Sequence, residues 1–121
     1  MLQEIKDAHE IANDYFFKGM LNMPNFLFYE DCLMDDIGNI CDKGQNITMD
    51  KKTVGSVWGY YLAETNTIGL TVNDNIYYTL LHEMIHQYQQ EFNLIDKDHG
   101  GTFRKFARFI ELTLNLERGV I

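Results

Sequence analysis

The 121-residue sequence holds a single proline, two cysteines and no apolar run near the roughly 20 residues needed to cross a bilayer. Pro-rich linkers, internal repeats and low-complexity tracts are missing, so residues 1–121 read as one domain. Cys32 and Cys41 form no CxxC pair, which excludes a structural zinc ribbon. Nothing in the sequence indicates secretion, and reduced thiols are expected. The opening Met1-Leu2-Gln3-Glu4-Ile5-Lys6 is charged and helical in pattern, unlike an apolar signal region. A soluble cytoplasmic protein without membrane association is expected. There is no Gly-rich phosphate loop.

Positive charge is also scarce, with 10 Lys and Arg against 18 Asp and Glu, for a net charge of −8. Residues 1–50 carry ten acidic and three basic side chains; residues 51–121 carry eight and seven. The acidic half repels a phosphate backbone. Lys97, Arg104, Lys105 and Arg108 do cluster around His99. A solvated helix face is the expected reading, with a contact to nucleic acid or an acidic substrate as the alternative. What is present in quantity is apolar surface. At 45% hydrophobic and 13% aromatic, the chain has the composition of a globular fold that needs no disulfides.

Periodicity gives an α+β order of helix, strands, helix, helix. Ile5, Ala8, Ile11, Ala12, Tyr15 and Phe16 trace a helical stripe that Gly19 can end. Residues Asn25 to Cys32 are aromatic and strand-like, and Val54, Val57, Trp58, Tyr60, Tyr61 and Leu62 suggest another strand. Glu64-Thr65-Asn66 turns the chain into Thr67 to Val72, where Ile68, Leu70 and Val72 alternate. A small, mainly antiparallel sheet is expected. The stretch Asp35 to Thr53 reads as an insertion or irregular connection. His9, on the first helix, is expected at the surface or its boundary.

The chemistry concentrates at His82-Glu83-Met84-Ile85-His86, an HExxH pentapeptide. A shuffled chain of this composition would contain one in roughly one case in a hundred, so the setting has to decide. The setting is helical. Asn73-Asp74-Asn75 offers N-cap residues, Ile76, Leu80, Met84 and Tyr88 form one apolar row, and Leu81, Ile85 and Phe92 form a second. Positions i and i+4 of a helix share a face, so His82 and His86 can hold one ion while Glu83 acts as base toward its water.

The third ligand must come from elsewhere. Metzincin spacing fails, because Gln89 and Phe92 stand where Gly and His would be required. His99 is the leading candidate, on a loop ahead of a last helix marked by Phe103, Phe106, Ala107, Ile110 and Leu114. Thr102 is a candidate cap for that helix, and Gly119 lies after its end. Glu111 is the rival ligand, but its neighbours Ala107 and Arg108 suggest a solvated or ion-paired face.

Leu81-His82-Glu83-Met84-Ile85-His86-Gln87-Tyr88 followed by His99-Gly100-Gly101-Thr102-Phe103 resembles the SprT-like zinc metalloprotease family, which pairs HExxH with a later HGxxF or HGxxW. Asn13 to Gly19, Trp58-Gly59-Tyr60 and Ile68-Gly69-Leu70-Thr71 add weaker likeness, and together roughly two-thirds of the chain is covered. The resemblance implies a zincin-like fold with one Zn²⁺ per chain on His82, His86 and His99. It implies Glu83 as catalytic base and Phe103 as packing behind the third ligand. It further implies protein substrates associated with DNA, and a compact version suits a phage or mobile element. Some members add a Cys-rich zinc ribbon, for which this sequence has no cysteine pairs.

The expected function is therefore a zinc-dependent metallopeptidase in which Glu83 deprotonates a zinc-activated water that attacks a peptide carbonyl. By analogy with zincins, the peptide would lie along the sheet edge near Thr67 to Val72. The alternatives are a non-catalytic, metal-stabilised binding module, against which the intact Glu83 argues, and a zinc hydrolase with a non-peptide substrate.

Overall fold

A computed structural model describes residues 1–29, 58–94 and 99–121 in full, and residues 33–34, 39–42 and 45–48 by backbone alone. The expectations for Cys32, Val54, Val57, Lys97 and the thiol of Cys41 fall outside the described residues. In chain order come α1 (Leu2–Phe16), β1 (Asn25–Tyr29), β2 (Leu33–Met34), β3 (Asn39–Asp42), β4 (Gln45–Thr48), β5 (Gly59–Leu62), a 3-10 turn (Ala63–Thr65), β6 (Thr67–Thr71), α2 (Ile76–Glu91) and α3 (Gly101–Thr113). The architecture is α+β, as expected.

The sheet beside the helices has the order β1-β6-β5 and is mixed. Strand β1 runs parallel to β6 from Asn25↔Thr67 to Tyr29↔Thr71, while β5 runs antiparallel to it from Gly59↔Leu70 to Leu62↔Thr67. This corrects the expectation of a mainly antiparallel sheet. The long stretch between β1 and β6 gives the chain room for the crossover that a parallel pair requires. It also corrects the docking edge, because β6 is the central strand and has partners on both sides. All five residues of β6 are buried, whereas Val72 just beyond it is exposed. Gly69 makes this possible: a Cβ there would come within 2.3 Å of the Tyr60 ring, which lies against the strand. The Tyr60 hydroxyl is hydrogen-bonded to that of Tyr29 on β1.

Within the stretch expected to be irregular, β3 pairs antiparallel with β4 from Asn39↔Thr48 to Asp42↔Gln45, and β2 pairs with β3. Hydrogen-bonded strands therefore occupy part of residues 35–53.

One apolar cluster joins Ile5, Phe17, Ile68, Leu70, Met84, Ile85 and Ile110, drawn from α1, β6, α2, α3 and their connections. Met84 and Ile85, inside the HExxH pentapeptide, are fully buried. Each such side chain contributes about 1.5–3 kcal/mol relative to exposure, so the motif helix is anchored by the motif's own interior residues. Helix α1 presents Ile5, His9 and Ala12 to this core, while Ile11 is 69% exposed and Tyr15 65%. The buried stripe is thus narrower than the apolar pattern suggests. Past the end of α1, Lys18 and Gly19 adopt positive φ and the Gly19 N–H bonds the Asn13 carbonyl at 2.9 Å. The Asn13 side chain then grips both main-chain groups of Leu21, at 3.0 and 2.9 Å.

Helix α3 starts one residue earlier than its expected cap. Gly100 is the N-cap, in extended conformation, and Thr102 lies within the first turn. Asn115, with φ 57°, follows the helix end, so Gly119 belongs to the tail rather than to the cap.

Candidate metal centre

Helix α2 and the loop before α3 bring the three sequence-nominated histidines to one point. Nε2 of His82 lies 3.3 Å from Nε2 of His86 and 3.3 Å from Nε2 of His99. One ligand atom from each residue falls within 4.8 Å of the others. Two nitrogens bound at about 2.0–2.1 Å to a tetrahedral ion would stand about 3.3–3.4 Å apart. The observed spacing is that of a tetrahedral edge.

The outer ring nitrogens explain why Nε2 points inward. Nδ1 of His82 faces the main-chain oxygen of Ile121 at 3.3 Å, and Nδ1 of His86 faces Oε1 of Gln89 at 2.9 Å. Both partners are acceptors, so each Nδ1 carries the proton and each Nε2 keeps its lone pair. Lone pairs converging on one point repel each other unless a cation sits among them, and this donor set suits such an ion. Burial, with the charges of His86 and His99 adding to it, pushes His82 down to about 4 despite the opposing hydrogen bond that His82 donates to the Ile121 oxygen. The imidazole is therefore neutral at pH 7, the form a metal needs.

Phe103 forms the floor of the cluster. Its ring stacks on His86 at a centroid distance of 4.9 Å and meets His82 and His99 edgewise at 4.7 and 4.6 Å. The packing expected behind the third ligand thus extends to all three histidines. His99 itself is exposed, while His82 and His86 are half-buried, leaving the open side of the cluster toward solvent.

Glu83, one residue past His82, is only 6% exposed, and burial pushes its carboxyl up to about 8. The wall around it includes the start of β5: a Cβ on Gly59 would lie 3.4 Å from Glu83 Cγ and 2.6 Å from Thr79 Cγ2. Only a glycine lets this strand approach the helix so closely. The bend residue Trp58, just before β5, is half-exposed.

Among the described residues, no other group of three or more His, Cys, Asp or Glu side chains gathers in this way. No protein-family model, curated protein or solved structure matches this chain. The chemistry of the residues therefore carries the functional reading.

One sequence expectation holds only in part here, and another is overturned. Glu111, read as a solvated or ion-paired face and ranked below His99 as a ligand, is ion-paired and not gathered with the histidines, but it is nearly fully buried rather than solvated. Its Oε2 accepts the main-chain N–H groups of Gly119 and Ile121 at 2.9 and 3.0 Å, and Oε1 lies 3.6 Å from Arg108. The tail folding back over α3 buries it. His9, read as a surface or boundary residue, is fully buried, with Nε2 2.9 Å from Oε1 of Gln87. It occupies the i+4 position after Ile5, on the face of α1 turned to the core, so its environment follows from helix geometry.

Sequence reasoning missed three supporting residues. Gln89, three residues after His86, was legible in principle as an i, i+3 partner. Gln87 also ties the metal helix to the loop after α1 by donating to the Asn22 carbonyl at 2.6 Å. The Ile121 main-chain oxygen left no signal in side-chain identity. The basic residues Arg104 and Lys105 are exposed on α3, consistent with a solvated face.

Proposed function

We propose that this chain is a zinc-dependent metallopeptidase. The observation that carries the proposal is the 3.3 Å tetrahedral-edge spacing of His82 Nε2 from the Nε2 atoms of both His86 and His99, with the buried Glu83 next to His82 on α2. His82, His86 and His99 would hold one zinc per chain, at the side of the cluster that is open to solvent. A zinc ion there supplies Lewis acidity and an acidified water. Glu83 would serve as the base toward that water and as the acid toward the leaving amine. Its raised affinity for a proton suits both transfers, and the cation opposes the effect of burial by favouring the carboxylate.

The substrate strand is assigned to the outer edge of β5. That strand is at the sheet edge, and its Gly59 stands against Glu83. A peptide added there by main-chain hydrogen bonds would pass close to the base. The resemblance to SprT-like proteases extends the proposal to proteins associated with DNA, for which the exposed Arg104 and Lys105 offer the nearby positive charge. The net charge of −8 makes any such dependence local to that face.

Hydrolysis of an unstructured protein by the zinc-loaded chain, compared with Glu83→Gln, tests the proposal. The parent should cleave and the variant should retain zinc with turnover reduced at least about 100-fold. Equal turnover would remove Glu83 from the reaction, and no cleavage by the zinc-loaded parent would leave a metal site without the peptidase.

A further inference from the structure

Beyond α3 the chain makes a turn that has no role in the chemistry described so far. Its conformation is nonetheless highly determined. Asn115 adopts φ 57°, and the Leu116 N–H returns to the Glu111 carbonyl at 2.7 Å. Gly119 adopts φ 92°, a left-handed conformation that favours glycine, and the N–H of Val120 bonds the Glu117 carbonyl at 3.3 Å. The single carboxylate oxygen Oε2 of Glu111 then receives the N–H groups of Gly119 and Ile121. Charge-assisted bonds of this kind are roughly twice as strong as neutral ones. Ile121 is thereby seated in the core, and its main-chain oxygen reaches Nδ1 of His82 at 3.3 Å.

We propose that Glu111 is a positioning residue for the metal site. It holds the tail so that the Ile121 oxygen fixes the ring orientation and tautomer of His82. A histidine donating its Nδ1–H to an acceptor presents Nε2 to an ion with its lone pair already aimed, and its basicity as a ligand rises. Gln89 does the same for His86 from within α2, so the tail supplies for one ligand what the helix supplies for the next. The carboxylate acts at one remove and never touches the ion. This differs from a glutamate ligand: both carboxylate oxygens already have partners, the main-chain amides on one side and Arg108 on the other. The inference rests on the zinc reading of the three histidines.

Zinc affinity, measured by chelator competition, and the tautomer of His82, read from long-range ¹H–¹⁵N spectra of the zinc-loaded protein, test it together. Glu111→Leu removes the acceptor and should weaken zinc binding about 10- to 100-fold. Glu111→Gln keeps an oxygen for the two amides and should stay within about threefold of the parent. Glu111→Leu binding zinc as tightly as the parent, while the amides of residues 119 and 121 lose exchange protection, would overturn the proposal. Should Glu111→Leu fail to fold, the parent spectrum decides. A slowly exchanging proton on Nδ1 of His82 with Nε2 bound supports the role; Nδ1 bound to zinc, or a freely exchanging Nδ1–H, overturns it. A parent that takes up no zinc overturns the metal site itself and this inference with it. A parent with tight zinc and an indifferent Glu111→Leu overturns the positioning role alone.

Discussion

Nε2 of His9 and Oε1 of Gln87 meet at 2.9 Å in the core, joining α1 to the metal helix across 78 positions of sequence. Gln87 directly follows the second histidine of the HExxH pentapeptide, so this contact fixes the metal helix from behind. Nδ1 of His9 has no hydrogen-bond partner among the described residues, and burial lowers the proton affinity of the ring against the opposing effects of Gln87 and Glu91. The imidazole is neutral in the folded protein. The unfolded chain takes up a proton near 6.5 and the folded one only at lower pH, so stability is present above 6.5 and is lost as the pH falls below it.

His9→Gln, which has no proton to gain, should cost about 1–3 kcal/mol at pH 8 and progressively less toward pH 5. Denaturant unfolding of both proteins across this range checks it, since the remaining histidines are common to the two. A gap independent of pH would show that His9 is not the buried neutral group described here.

Two glycines hold the sheet against its neighbours. A Cβ at Gly59 would meet Thr79 Cγ2 at 2.6 Å and the Gly69 carbonyl oxygen at 2.8 Å, and main chain cannot yield as a side-chain tip can. Gly59→Ala should destabilise the fold by about 1–3 kcal/mol and slow hydrolysis while leaving zinc affinity nearly intact. Thermal unfolding, turnover and chelator competition on the one variant separate these effects. Unchanged stability would mean that β5 does not approach α2 as described.

Glu83 should reveal its burial in the metal-free protein. The folded chain keeps the carboxyl proton up to about 8, whereas the unfolded chain releases it near 4.5. Parent stability is therefore full below 4.5 and falls as the pH rises toward 8. Metal-free Glu83→Gln should be the more stable protein above pH 5, by on the order of 2 kcal/mol at pH 7. Denaturant unfolding at pH 5 and pH 8 measures this. A difference that does not widen with pH would contradict the burial of Glu83.

Phe103 touches all three histidine rings, which makes it the common support of the site. Phe103→Ala should cost about 3–5 kcal/mol of stability and weaken zinc binding as the rings lose their floor. Phe103→Leu should lose less of both. Zinc affinity unchanged in a folded Phe103→Ala would reduce Phe103 to an ordinary core residue.

The metal helix was legible because its signals are local: two apolar rows, an asparagine-rich start and histidines four residues apart all lie within one segment. His99 was legible through its neighbours Gly100 and Phe103. The central position of β6 was not. Its alternation of Ile68 and Leu70 suggests one buried face, while Thr67, Gly69 and Thr71 are buried by partners that only the tertiary fold supplies. Parallel pairing of β1 with β6 leaves no mark in either segment. The burial of His9 and of Glu111 was not legible for one reason: each is polar by composition and buried by partners distant in sequence or on the main chain. The Ile121 oxygen is invisible in any list of side chains.

The most direct test of the central claim is zinc titration of the metal-free protein, with chelator competition, alongside His82→Ala, His86→Ala and His99→Ala. The parent should bind one ion per chain, and each substitution should weaken binding by well over about tenfold, as loss of a directly bound ligand exceeds the 10- to 100-fold typical of its supports. Absence of stoichiometric zinc in the parent would contradict the metal centre, and undiminished affinity in His99→Ala would contradict its three-histidine composition.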